Sequence, residues 1–266
     1  MQIIDSHVHM DSLERAALES MSLAGIKAVV ADAAPMPGLA PSWQCVLDFF
    51  ERTLGYETMR GSEFFMDVYV MIGINMFFVP HDYEKVFDSI PDYINRNRVV
   101  GVGEIGLEPR STTCPDLSKQ EKIVEFFLQM AKEHDKAVLF HTPPTERPKW
   151  VKHYFELTKK AKLRPERVII SHVDSSILKL VTDIGCIAGI TVQPWRKIAP
   201  IDVAEMLKNA DLDRVLIDSD SSLRFGSDPL GIPKTVLEMR KLGFEKQDIK
   251  RIVYDNPMKV FNLEAD

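Results

Sequence analysis

Eight short runs rich in Val, Ile, Leu and Ala recur along the 266 residues, and stretches with helical spacing separate them. The runs lie at Ile3–His9, Ala28–Ala31, Met66–Ile74, Val99–Glu104, Ala137–His141, Arg167–His172, Ile187–Gln193 and Val215–Asp220. Crossovers long enough to hold a helix predict parallel strands. Eight such units in a chain of this length predict a (β/α)8 TIM barrel. A doubly wound open sheet is the other arrangement, but no glycine-rich dinucleotide loop follows the first run. No internal repeat, low-complexity tract or linker divides the chain, so residues 1–266 read as one barrel domain.

Helix signals fall between the runs. Pro41-Ser42 opens a helix through Phe50 and Thr53, and Asp116 with Ser118 leads an amphipathic stretch over Lys119–His134. Asp174-Ser175-Ser176 precedes Ile177–Ile184, Asp202 heads Val203–Lys208, and Asp228-Pro229 starts Leu230–Leu242. The last helix is expected over Lys246–Tyr254, stopping before Asn256-Pro257.

Composition narrows the setting. With 45% hydrophobic and 27% charged residues the chain has an ordinary globular balance. It has no apolar run near the roughly 18 residues that span a bilayer. The first strand starts too early to leave room for a secretion signal. Three scattered cysteines (Cys45, Cys114, Cys186) without a CxxC pair suit a reducing compartment. The expectation is a cytoplasmic protein with no membrane association and no obligate protein partner. A net charge of −6 disfavours broad nucleic-acid binding, which draws on Lys and Arg against phosphates. A local basic patch or bound metal ions can still hold an anionic substrate.

The polar residues at the C-terminal ends of the runs carry the chemistry, because that rim is where such barrels place their sites. His7 and His9 are two apart and so share a face. "VGVGEIGLEPR" carries Glu104, "AVLFHTPP" carries His141, "VIISHVD" carries His172, and "VLIDSDSS" carries Asp218 and Asp220. One His closing an apolar strand is ordinary; four, with a Glu and an Asp on the same rim, are difficult to explain independently. Imidazole and carboxylate donors suit Zn²⁺, Mn²⁺ or Mg²⁺. Six donors exceed the three protein ligands of a common catalytic zinc site, which favours two divalent ions joined by a carboxylate.

The set "HVH", "VGEIGL", "FHT", "SHVD" and "DSD" resembles the TatD-related metal-dependent hydrolases of the amidohydrolase superfamily, nearly end to end. The resemblance implies a (β/α)8 barrel with a divalent-metal centre that hydrolyses phosphodiester bonds, often in DNA. It implies that His7, His9 and Asp220 hold one ion, His141 and His172 the other, and that Glu104 bridges them. By the same pattern Asp220 is the ligand and Asp218 sits one layer deeper; as a mechanism, Asp220 is expected to orient the attacking water and take its proton. Where the family commonly has "GxHP" after strand three, this chain reads Gly73-Ile74-Asn75-Met76, so Asn75 stands in place of a substrate-facing histidine. His81, a few residues on, is expected to be solvated.

Arg110 and Arg147 are the candidate contacts for an anionic substrate, with Asn75, and Trp195 is a candidate wall on which a base stacks. Glu108 reads first as a solvated loop charge, and so do the lysines of the helix after strand five, of which Lys149, with Arg147, lies nearest the rim and is the better phosphate contact. The leading reading is two-metal phosphodiester hydrolysis of nucleic acid or a small phosphoester. The alternatives are a small-molecule amide, lactone or ester hydrolase, and a metal-binding scaffold without turnover.

Overall fold

Strand and helix alternate through the computed structural model, which describes residues 1–34, 41–222 and 227–264. The strands are β1 (Ile3–Val8), β2 (Ile26–Asp32), β3 (Asp67–Ile72), β4 (Val99–Gly106), β5 (Ala137–His141), β6 (Val168–Ile170), β7 (Ile187–Thr191) and β8 (Val215–Asp218). They pair in parallel, in chain order, within one sheet. β8 returns to β1 through a parallel bridge between Val8 and Ser221. There the His9 N–H donates to Ser221 O, and the Asp220 N–H to His7 O, each at 3.0 Å. The result is a (β/α)8 barrel whose closing seam also brings His7, His9 and Asp220 together.

Two apolar layers follow from the period of two along each strand. Val30, Met71, Leu139, Ile169, Ile187 and Leu216 form a small inner cluster. Alternate residues such as Val29, Val138, Phe140, Val215 and Ile217 belong to the larger cluster shared with the helices. Two residues beyond Val30, Leu139 and Leu216 stand Asp32, His141 and Asp218, on the same face of their strands. The pleat that buries the inner apolar layer therefore delivers Asp32 and His141 to the barrel mouth and Asp218 to the layer just beneath it.

Helices include Arg15–Leu23, Trp43–Arg52, Glu84–Ile94, Leu117–Glu133, Arg147–Lys160, Leu178–Asp183, Pro200–Leu207 and Gly231–Lys241. Asp116 Oδ1 accepts the Ser118 N–H at 2.9 Å, as its place in the sequence predicts. Tyr154, on the Arg147–Lys160 helix, stacks on Phe140 with ring centroids 4.3 Å apart. Its hydroxyl accepts the Leu107 N–H at 2.8 Å, pinning the backbone just after β4. A Cβ at Gly106 would lie 2.9 Å from His141 O and 3.0 Å from that hydroxyl, so only glycine lets β4 and β5 close here.

Several strand ends shift by up to two residues from the sequence expectation, β3 ending at Ile72, β4 at Gly106 and β7 at Thr191, and three further differences have an evident physical reason. β6 and β8 end at Ile170 and Asp218, two residues early, because His172 (φ +61°) and Asp220 (φ +43°) have left the extended region. The last helix does not stop before Asn256-Pro257. Lys246–Lys250 runs through a π turn, Arg251–Asp255, into Asn256–Phe261. The wider turn relieves the clash that a proline ring makes with the carbonyl four residues back in a regular α-helix. No helix among the described residues is long and apolar enough to cross a membrane.

Candidate metal centre

The four rim histidines converge. Ring centroids are 5.3 Å apart for His7–His9, 6.2 Å for His7–His172 and 5.3 Å for His141–His172. Within this array His7, His9 and Asp220 offer ligand atoms that lie within 4.8 Å of one another, and so do Glu104, His141 and His172. His9 Nε2 stands 3.2 Å from Asp220 Oδ1. Glu104 Oε1 stands 3.2 Å from His141 Nδ1 and 3.1 Å from His172 Nε2. His172 and Asp220 adopt left-handed backbone conformations, uncommon for residues with a side chain. Strain of this kind gathers where a side chain must be aimed.

The donor set fits a divalent-metal centre. Both ring nitrogens of His7 are buried without a hydrogen-bond partner, which ordinarily costs a protein stability. A metal on one nitrogen would remove the cost of that nitrogen. The other histidines have partners that fix the ring. His141 Nε2 lies 3.3 Å from Glu108 Oε2, and His172 Nδ1 lies 2.8 Å from Thr191 Oγ1. Such outer contacts orient metal-binding imidazoles.

Charge within the centre is tightly coupled. Burial opposes ionisation of Glu104 and Asp220, yet both are held well below the usual carboxylate range. His141 and His172 outweigh burial for Glu104, and Lys197 and His9 for Asp220. Burial likewise opposes charge on His9 and His141, but Asp220 pushes the first up to about 9, and Glu104 with Glu108 pushes the second up to about 9. Burial, then Lys197, lowers His172 to about 3, and burial lowers His7. Below the rim, burial raises Asp5 to about 7, while burial and Asp5 raise Asp218 well above its ordinary value. Asp5 is anchored by the Ser219 hydroxyl at 2.5 Å.

The four candidate substrate contacts fare differently. Asn75 faces the centre, but its Nδ2 donates to Glu104 Oε2 at 2.9 Å. Arg110 clasps Glu108, with Nε and Nη2 each 2.8 Å from a carboxylate oxygen. Arg147 donates from Nη1 to His172 O and to Asp174 Oδ2, both at 2.8 Å. It also lines a cavity of about 170 Å³ with His172, Thr191, Arg196 and Lys197. Trp195 is 74% exposed and does not line that cavity. His81 contacts the Pro41 carbonyl, away from the centre.

Sequence reasoning passed over three residues that the fold brings in. Glu108 is fully buried rather than solvated, and Lys197 reaches Asp220 Oδ2 at 2.7 Å. Asp32 accepts the Glu104 N–H at 2.6 Å. Only Asp32 had a signal, an acidic residue closing the apolar run "AVVAD".

The family described as TatD related DNase matches residues 4–262. The chain belongs to the TatD related DNase family. Membership places it among TatD-like metal-dependent hydrolases, as the motifs around Glu104 and the histidines led one to expect. A metal-dependent hydrolase of Methanocaldococcus jannaschii is 26% identical over 261 residues, covering 98% of this chain and 100% of that one. A TatD-like protein of Archaeoglobus fulgidus superposes with a TM-score of 0.79 at 23% identity, covering 97% of this chain and 99% of that one. A β-aspartyl dipeptidase of Fervidobacterium islandicum shares the fold, with a TM-score of 0.70 at 19% identity over 98% of this chain and 72% of that one.

Proposed function

We propose that this member of the TatD related DNase family hydrolyses phosphodiester bonds, in nucleic acid or a small phosphoester, at a two-ion centre. His7, His9 and Asp220 would hold one ion, His141 and His172 the second, and Glu104 would serve both. The observation that carries the reading is the pair of three-donor groups at the barrel mouth, with partnerless His7, a member of one, stacked 6.2 Å from His172, a member of the other. Divalent ions such as Zn²⁺, Mn²⁺ or Mg²⁺, when bound, make water nucleophilic near neutral pH and offset charge on phosphoryl oxygens.

The chain's own residues do the rest. Asp220, kept ionised by Lys197 and His9, orients the attacking water and accepts its proton. Asn75 holds Glu104 through Oε2, leaving Oε1 toward the two histidines. Glu108 and Thr191 hold the rings of His141 and His172. Arg147, Arg196 and Lys197 bring positive charge to the adjoining cavity, beside Asp174, which pairs with Arg147, and this excess suits phosphate oxygens.

The test is turnover by Mn²⁺-loaded protein of a single-stranded oligonucleotide and of bis(4-nitrophenyl) phosphate, beside a panel of lactones, esters and β-aspartyl dipeptides. Phosphodiester cleavage that chelation abolishes supports the proposal. Asn75, in the family's histidine position, favours carbonyl hydrolysis as the second reading, and turnover confined to the carbonyl panel would establish it. Tight metal binding with no turnover would establish a scaffold.

A further inference from the structure

A third group of donors crosses the centre. His7, Asp32 and Glu104 offer one ligand atom each, all within 4.8 Å of one another, and all three residues are buried. Asp32 closes β2, next to β1 in the sheet, and is 4% exposed. One of its oxygens, Oδ1, accepts the Glu104 N–H. The other, Oδ2, is buried with no hydrogen-bond partner. A purely structural acceptor for one N–H needs one oxygen, and a buried second oxygen without a partner is costly. The same defect marks His7, whose two ring nitrogens are also partnerless. Two neighbouring buried residues thus keep unfilled acceptor positions in the same small space.

We infer that Asp32 is a further ligand of the ion shared by His7 and Glu104. This rests on the two-ion reading above and goes beyond it. The ion on the β1 side would then have two imidazoles, from His7 and His9, against three carboxylates, from Asp32, Glu104 and Asp220. An oxygen-rich set of this kind suits Mn²⁺ or Mg²⁺ over Zn²⁺. Asp32 is thereby a residue that selects the metal.

The test is calorimetric titration of the full chain with Mn²⁺ alone and Zn²⁺ alone, for wild type, Asp32→Asn and Asp32→Ala. Electron paramagnetic resonance of bound Mn²⁺ provides a second readout. Asn keeps the Oδ1 acceptor for the Glu104 N–H and the side-chain size, so the local backbone contact survives. The expected result is at least a tenfold loss of Mn²⁺ affinity at one site in Asp32→Asn, a smaller loss for Zn²⁺, and an altered Mn²⁺ spectrum. Unchanged Mn²⁺ binding and spectrum in Asp32→Asn would overturn the assignment. A loss seen only in Asp32→Ala would also overturn it, leaving Asp32 as an acceptor for Glu104. Wild type that binds neither ion would overturn the two-ion reading and this inference together, a pattern distinct from the other two.

Discussion

The ammonium of Lys197 lies 2.7 Å from Oδ2 of Asp220. It is also 2.8 Å from Nδ1 of His172, so one cation touches a member of each three-donor group. A charge-assisted hydrogen bond contributes about 1.5–3 kcal/mol, and about 1.4 kcal/mol is tenfold in affinity. Metal that draws on Asp220 competes with this contact. Lys197→Met is expected to bind Mn²⁺ roughly tenfold or more tightly, while phosphodiester turnover falls because the cavity wall has lost a cation. Calorimetry beside steady-state kinetics checks this. Equal metal affinity in the two proteins would show that the ammonium does not compete.

Proton release accompanies metal binding. His9 and His141 have pKa values raised from 6.5 to about 9 by Asp220 and by Glu104 with Glu108, against the opposing effect of burial. A protonated ring has no lone pair for a metal, so loading expels those protons. Both folded-state values lie above the unfolded one. Their stabilisation of the metal-free protein is therefore full below about pH 6.5 and is lost as pH rises through about 9. Metal affinity follows the opposite course and rises with pH up to about 9, by about tenfold per unit for each proton expelled. Titration at neutral pH in buffers of differing ionisation enthalpy is expected to count about two protons. A count of zero would contradict the assignment of these rings as ligands.

Glu108 holds His141 from the far side and is itself clasped by Arg110. Glu108→Gln keeps the size but loses the charge that orients the ring. Metal affinity is expected to fall by about 10–100-fold, the usual cost of losing an outer partner of a metal-binding histidine. Arg110→Met is expected to reduce affinity less, since Glu108 remains. Equilibrium dialysis with Zn²⁺ ranks the two variants, and the reverse order would mean that Glu108 is not what holds His141 for the metal.

Asp220 and Asp218 separate by depth. Asp220→Asn suits the left-handed backbone there, because Asn tolerates that region, so the change tests chemistry rather than fold. Turnover at saturating metal is expected to fall by about 10²–10⁴, the range for a lost proton-transfer group. Asp218, buried beside Asp5 below the rim, is expected to cost much less when changed to Asn. Activity lost in Asp218→Asn and kept in Asp220→Asn would exchange their roles.

Strand order and the rim histidines were legible in the sequence because both follow local patterns. Apolar runs of fixed period mark the strands, and a polar residue at the end of such a run marks the rim. The contacts that complete the centre were not legible, because they depend on long reach. Lys197 lies two residues past Trp195, yet it is the lysine that turns inward while the tryptophan stays 74% exposed. Glu108 looked like a loop charge until Gln120, on the following helix, proved to fix its backbone and bury it. The ends of β6 and β8 were missed for a related reason: a left-handed turn at His172 or Asp220 is not encoded by apolar periodicity.

In the proposed centre six rim residues would hold two ions around Glu104. An anomalous difference map from a crystal of the Mn²⁺-loaded protein tests it most directly. Two peaks are expected, one in coordination range of His7, His9 and Asp220, the other of His141 and His172, with Glu104 reaching both. A single peak that Glu104 does not touch, or manganese bound only away from the barrel mouth, would contradict it.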